Sequence, residues 1–133
     1  MSVRGIDHVA ITVAHVEATL AFYQRVLDAK PLYEDLWRAG KIPVVLLELP
    51  GCRLSVHAAR APASPHAAVP TPGSVDLCFR WQGPIEAAVA QLARCGVAIA
   101  LGPVPRPAAD GSPARSVYFR DPDGNLLELL STD

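Results

Sequence analysis

The chain says nearly the same thing twice, and that repetition limits its fold more than any other feature. Ile6 to Val13 reads I-D-H-V-A-I-T-V, and Ser74 to Trp81 reads S-V-D-L-C-F-R-W. Both alternate apolar with smaller or polar residues, the period of a strand buried on one face. The first sets Val9, Ile11 and Val13 against His8, Ala10 and Thr12. The second sets Val75, Leu77, Phe79 and Trp81 against Asp76, Cys78 and Arg80. A helix is expected after each strand, starting V-E-A at Val16 and I-E-A at Ile85, 69 positions apart. Val16, Leu20, Tyr23 and Leu27 form one apolar stripe, and Ile85, Val89 and Leu92 another. Pro84 precedes the second helix where a missing N–H costs nothing, and Gly96 suits its C-terminal cap.

Each half then continues into a hairpin. Val44 to Leu49 and Arg53 to His57 flank the turn pair Pro50-Gly51. Ser116 to Arg120 and Asn125 to Leu130 flank Asp121-Pro122-Asp123-Gly124. The pattern predicts one domain over residues 1–133, made of modules at 1–57 and 74–133. A connector at 58–73, with Pro62, Pro65, Pro70 and Pro72, reads as an extended crossover. A length of 133 residues is enough for one cored domain and too short for two conventional ones.

The repeat also makes a chemical statement. His8 and Asp76 take the same place in the two first strands, 68 positions apart. His57 and Glu128 take the same place in the two last strands, 71 apart. Four residues able to ligate a metal thus fall at two pairs of equivalent positions, and a pseudo-two-fold would bring them together if the halves close into one concave sheet. Two imidazoles and two carboxylates without sulfur suit one divalent Mn, Fe, Co, Ni or Zn ion better than Ca or Cu(I). Alternation puts His57 with Arg53 and Ser55, opposite Leu54 and Val56, and puts Glu128 with Leu126 and Leu130. An acid in so apolar a strand is costly to bury unless paired or ligated. Taken singly, each residue has a blander reading: a hydrogen-bonded His8, a solvated His57, Asp76 paired with Arg80, Glu128 with Arg120 or Arg115. Matched repeat positions favour the metal.

His15 and His66 lack repeat partners and read as surface residues, with His66 placed to fold over the site as part of a lid. Arg80 and Arg115 are candidates to grip an anionic substrate group, with surface ion pairs as the alternative. Tyr33, Trp37, Tyr118 and Phe119 are expected to line an apolar pocket or the core. A net charge of −1, with acids and bases intermixed, argues against nucleic acid and anionic membranes. No apolar run approaches the roughly 20 residues of a membrane span. Cys52, Cys78 and Cys95 are odd in number and widely spaced, which fits reduced, small buried residues in a cytoplasmic protein.

The segments I-D-H-V-A-I-T-V, A-T-L-A-F-Y-Q-R-V-L and V-Y-F-R-D-P-D-G-N-L-L-E-L resemble the vicinal oxygen chelate superfamily of glyoxalases, bleomycin resistance proteins and dioxygenases. P-T-P-G-S-V-D-L-C-F and C-G-V-A-I-A-L-G-P-V are similar to a virulence-protein-like branch of it. The resemblance implies an α+β fold of paired β-α-β-β-β modules forming an incompletely closed mixed barrel, and a homodimer. It carries metal ligands onto His8, His57 and Glu128. Asp76 falls where the family usually has histidine. The implied function is a metal-dependent lyase or isomerase, with a dioxygenase next. It would act on a small oxygenated substrate chelated through two oxygens, with one carboxylate, Glu128 or Asp76, as base; on the reading of the residues, Arg80, Arg115 and Tyr118 would contact substrate. A metal-free drug-binding protein of the bleomycin-resistance type is the alternative.

Overall fold

In each half, alternating apolar residues build a sheet with one greasy face, and a single amphipathic helix covers it. The computed structural model describes residues 2–133. The first half runs β1 (Val9–Val13), α1 (Val16–Leu27), β2 (Lys30–Leu32), α2 (Glu34–Arg38), β3 (Val45–Leu49) and β4 (Cys52–Ala58). Its sheet has the order β1-β4-β3-β2, with β1 parallel to β4 and the other pairs antiparallel. Ile11, Val13, Val45, Leu47, Leu54 and Val56 turn to one face and are buried. Val16, Leu20, Phe22, Tyr23 and Val26 of α1 are buried with them. Each such side chain removed from water contributes about 1.5–3 kcal/mol.

The second half runs β5 (Asp76–Arg80), α3 (Ile85–Arg94), β6 (Leu101–Pro107), β7 (Pro113–Arg120) and β8 (Leu126–Ser131). Its order, β5-β8-β7-β6, repeats the first, again with the outer first strand parallel to the last. Val117, Phe119, Leu127 and Leu129 form the buried face, covered by Ile85, Ala88 and Leu92 of α3. The end of α3 is closed by Val97 N–H to Leu92 O at 2.9 Å and Gly96 N–H to Ala93 O at 3.0 Å. That pairing needs the left-handed φ of 70° that Gly96 supplies.

The fold is α+β, with two four-stranded mixed sheets, neither closed on itself. The chain divides into two compact units, one ending at Gly73 and one spanning Ser74–Asp133. Each contains the β-α-β-β-β sequence that the family resemblance implied. Three elements were not expected from the pattern: β2, α2 and β6. The first strands are shorter than the alternation suggested, so His8 stands one residue ahead of β1. Among the described residues, no helix is long and apolar enough to cross a membrane.

Candidate functional site

On the first unit His57 lies on the sheet face turned away from α1, and His8 stands just ahead of β1. His57 is level with Thr12 of β1 and half-buried, and its Nε2 lies 3.1 Å from Ser55 Oγ. Burial first, then the charges of His8 and His66, hold the His57 imidazole below its ordinary range. It is therefore neutral at pH 7, the form that ligates. His8 donates from Nδ1 to Asp7 Oδ1 at 2.8 Å. The hydrogen bond to His8 in turn holds the Asp7 carboxyl below its usual range. A carboxylate on one ring nitrogen fixes the ring and leaves the other, Nε2, available to a metal. His57 is engaged the opposite way round, which leaves Nδ1.

On the second unit Asp76 opens β5 and is exposed. Glu128 is half-buried in β8, between Cys78 of β5 and Tyr118 of β7. Partial burial, followed by the Glu128 charge and a hydrogen bond to it, pushes the Cys78 thiol up to about 11. Cys78 is thus an exposed neutral thiol donating to Glu128. None of the three cysteines is fully buried, contrary to the expectation from spacing.

What aligns this pair is the turn before β8. Asp121 is buried. Its Oδ1 accepts from the N–H groups of Asp123 at 2.9 Å and Asn125 at 3.0 Å, and its Oδ2 accepts from Asn125 Nδ2 at 2.8 Å. Asn125 Oδ1 then accepts from Val75 N–H at 2.9 Å, and Leu126 N–H donates to Val75 O at 3.0 Å. The start of β5 is tied to the start of β8, which puts Asp76 beside Leu126 and Cys78 beside Glu128.

The expected substrate contacts divide. Tyr118 shares the face of Glu128, and its hydroxyl accepts from Arg106 Nε at 2.9 Å. Arg80 is on that face too and donates to Thr132 Oγ1 at 3.0 Å. Arg115 is not. It has the parity of Val117 and Phe119, is level with Ser131, and reaches Glu86 of α3 at 2.5 Å. That alternation was readable in S-V-Y-F-R. Arg106 had no such signal, because it sits in the proline-rich segment L-G-P-V-P-R-P. Phe119 belongs to the core, whereas Tyr33 is exposed. A cavity of ≈ 670 Å³ in the first unit, between the end of α1 and the β3–β4 turn, holds none of the four donors but includes Asp7 beside His8.

Among the described residues, no three His, Cys, Asp or Glu side chains gather closely enough to hold a metal ion. Each unit presents two of the four donors.

The model of the Glyoxalase/Bleomycin resistance protein/Dioxygenase superfamily matches residues 5–129. Virulence protein STM3117 of Salmonella typhimurium is 36% identical over 129 residues, 97% of this chain and 85% of that protein. Its crystal structure aligns at 34% identity and a TM-score of 0.88, covering 100% of both chains. Glyoxalase domain-containing protein RDO1 of Mycosarcoma maydis is 37% identical over 131 residues, 98% of this chain and 70% of that one. The antibiotic binding protein TnmS3 from Streptomyces shares the fold, at 22% identity and a TM-score of 0.75 over 100% of this chain and 99% of its own.

Proposed function

The chain belongs to the Glyoxalase/Bleomycin resistance protein/Dioxygenase superfamily, and from that premise we propose that it is a metal-dependent lyase or isomerase. It holds one divalent cation through His8, His57, Asp76 and Glu128 and acts on a small oxygenated substrate. The observation that carries this reading is the placing of the donors. Each unit offers two of them, and each imidazole has one nitrogen engaged and the other available. The strand register corrects the expected match of His57 with Glu128: Ser55, level with Ala10, is the counterpart of Glu128, level with Cys78. The donor set fits a borderline divalent ion, with neutral nitrogen and carboxylate oxygen in equal number.

When bound, the cation supplies Lewis acidity to two neighbouring substrate oxygens. The chain's own residues do the rest. Asp7 orients His8, and Ser55 orients His57. Cys78 donates to the Glu128 carboxylate, which is the group to take a proton from a substrate carbon. Tyr118, directly across β7–β8 from Glu128, presents a ring and a hydroxyl to the substrate.

Elemental analysis of the full chain purified without chelators tests the reading. About one equivalent of Mn, Fe, Co, Ni or Zn per chain is expected, and His8→Ala and Glu128→Ala each reduce it. Equal metal in parent and variants overturns it. No metal, together with stabilisation by aromatic or cationic drugs, replaces it with a binding function.

A further inference from the structure

Five arginines lie on strands: Arg53, Arg80, Arg106, Arg115 and Arg120. Two have acid partners, Arg53 with Glu48 at 2.9 Å and Arg115 with Glu86 at 2.5 Å. The other three share the face of the second sheet turned away from α3, and among the described residues none has a carboxylate within ion-pair distance. Arg80 donates to neutral Thr132 Oγ1 and is close enough to the Asp110 carboxylate to lower its pKa, and Arg120 donates to Gly124 O.

Arg106 is the most constrained of the three. It is half-buried, donates from Nε to Tyr118 OH at 2.9 Å, and donates from Nη1 to Pro105 O at 2.9 Å. Its Cζ lies 5.5 Å from the centroid of the Tyr118 ring. In register Arg106 is level with Ala114, four residues from Tyr118 along β7. To reach that hydroxyl, its side chain must run back along the sheet face past Ser116. Ser116 is fully buried there, and its Oγ has no hydrogen-bond partner. The guanidinium is thus held by a cation–π contact and two hydrogen bonds, and among the described residues Nη2 has no hydrogen-bond partner. A half-buried cation with no counter-charge is unfavourable in isolation and favourable once an oxyanion meets it. Tyr118, which holds it, is directly paired with Glu128.

We propose that Arg106, backed by Tyr118, is a specificity-determining residue that binds an oxyanion group of the substrate, a carboxylate or a phosphate-type group. This rests on the metal-site reading only for placing the reacting end of the substrate near Glu128.

The probes are inorganic phosphate and acetate, with acetamide as neutral control, at constant ionic strength in the full chain. The readouts are the Arg106 Nε–H resonance, identified by its loss in Arg106→Gln, and the melting temperature. In the parent, phosphate or acetate shifts the resonance saturably and raises the melting temperature, and acetamide does neither. Arg106→Gln weakens the stabilisation at least about tenfold. Arg106→Lys, which keeps the charge and the fold, falls between, because an ammonium cannot reproduce the stacked fork. Response to phosphate alone assigns a phosphate-type group, and response to acetate alone assigns a carboxylate. Equal binding by Arg106→Gln and parent, or no response to either anion, overturns the proposal. Metal content is read on the same samples. Arg106-dependent anion binding in a metal-free parent sinks the metal reading and leaves this one standing. A metal-loaded parent whose anion response ignores Arg106 does the reverse.

Discussion

The two units share an order of strands but hold their candidate donors differently. In the second, the five residues Asp121 to Asn125 form a side-chain network that ties β8 to the chain entering β5. In the first, β3 and β4 are joined by Pro50-Gly51 alone, and among the described residues β1 has no comparable tie at its entry. His8 consequently stands outside the strand with its side chain 50% exposed, anchored to an Asp7 side chain that is 95% exposed. Equivalent places in a repeat are therefore not equally rigid places. Asp76 and Glu128 lie on strands tied by that network, whereas His8 is held by one exposed hydrogen bond.

The largest expected effect tests that rigidity. Asn125→Ala removes the bonds to Val75 N–H and to buried Asp121 Oδ2, and is expected to cost about 2–4 kcal/mol. Gly51→Ala, in the matching turn of the first unit, meets open space but a φ of +76°. It is expected to cost only about 1 kcal/mol. Urea unfolding of the two variants measures both, and a reversed order breaks the comparison.

Next comes reactivity. Cys78 is exposed, yet its thiol is pushed up to about 11 by partial burial and by Glu128. Alkylation by iodoacetamide at pH 8, followed by peptide mass spectrometry, is expected to run roughly tenfold or more slower than for a free thiol. Glu128→Gln should speed it. Parent and variant reacting alike would show that Glu128 does not govern the thiol.

A smaller effect concerns pH. The folded pKa of His57 is depressed by burial and by neighbouring charge, so the unfolded chain binds its proton more readily. The stability linked to neutral His57 is present above its unfolded value, ordinarily about 6.5, and is lost as pH falls through the folded one. In chelator-treated protein, melting temperature should fall below about pH 6.5, less steeply in His57→Gln. An unchanged slope refutes the coupling. The smallest effect is expected at Arg115. Arg115→Ala should leave metal content and anion binding as in the parent, because the side chain faces α3. Loss of either would reverse the assignment of faces.

These residues also show where the sequence was readable. β1, α1, β3, β4, β5, α3, β7 and β8 follow from period-2 and period-3.6 patterns and from turn residues, since each buries one face. β6 escaped because Pro103, Pro105 and Pro107 argue against a strand. It tolerates them as an edge strand, bonded only to β7 and with proline at alternate positions. Arg106 was hidden with it. β2 spans three residues, too few to show a period. Arg115 follows its alternative reading, a surface ion pair, and its parity with Val117 puts it behind the sheet. His57 and Glu128 were assigned to the correct face because alternation alone decides that. The brace through Asn125 was not legible, since it depends on long-range side-chain bonds that no local pattern reports.

X-ray absorption at the metal edge of zinc-loaded protein tests the central claim most directly, because it reads the donors of both units at once. The expected first shell contains two imidazole nitrogens and carboxylate oxygens at about 2.0–2.2 Å, without sulfur. Fewer than two imidazoles, or sulfur at about 2.3 Å from Cys78, would contradict it.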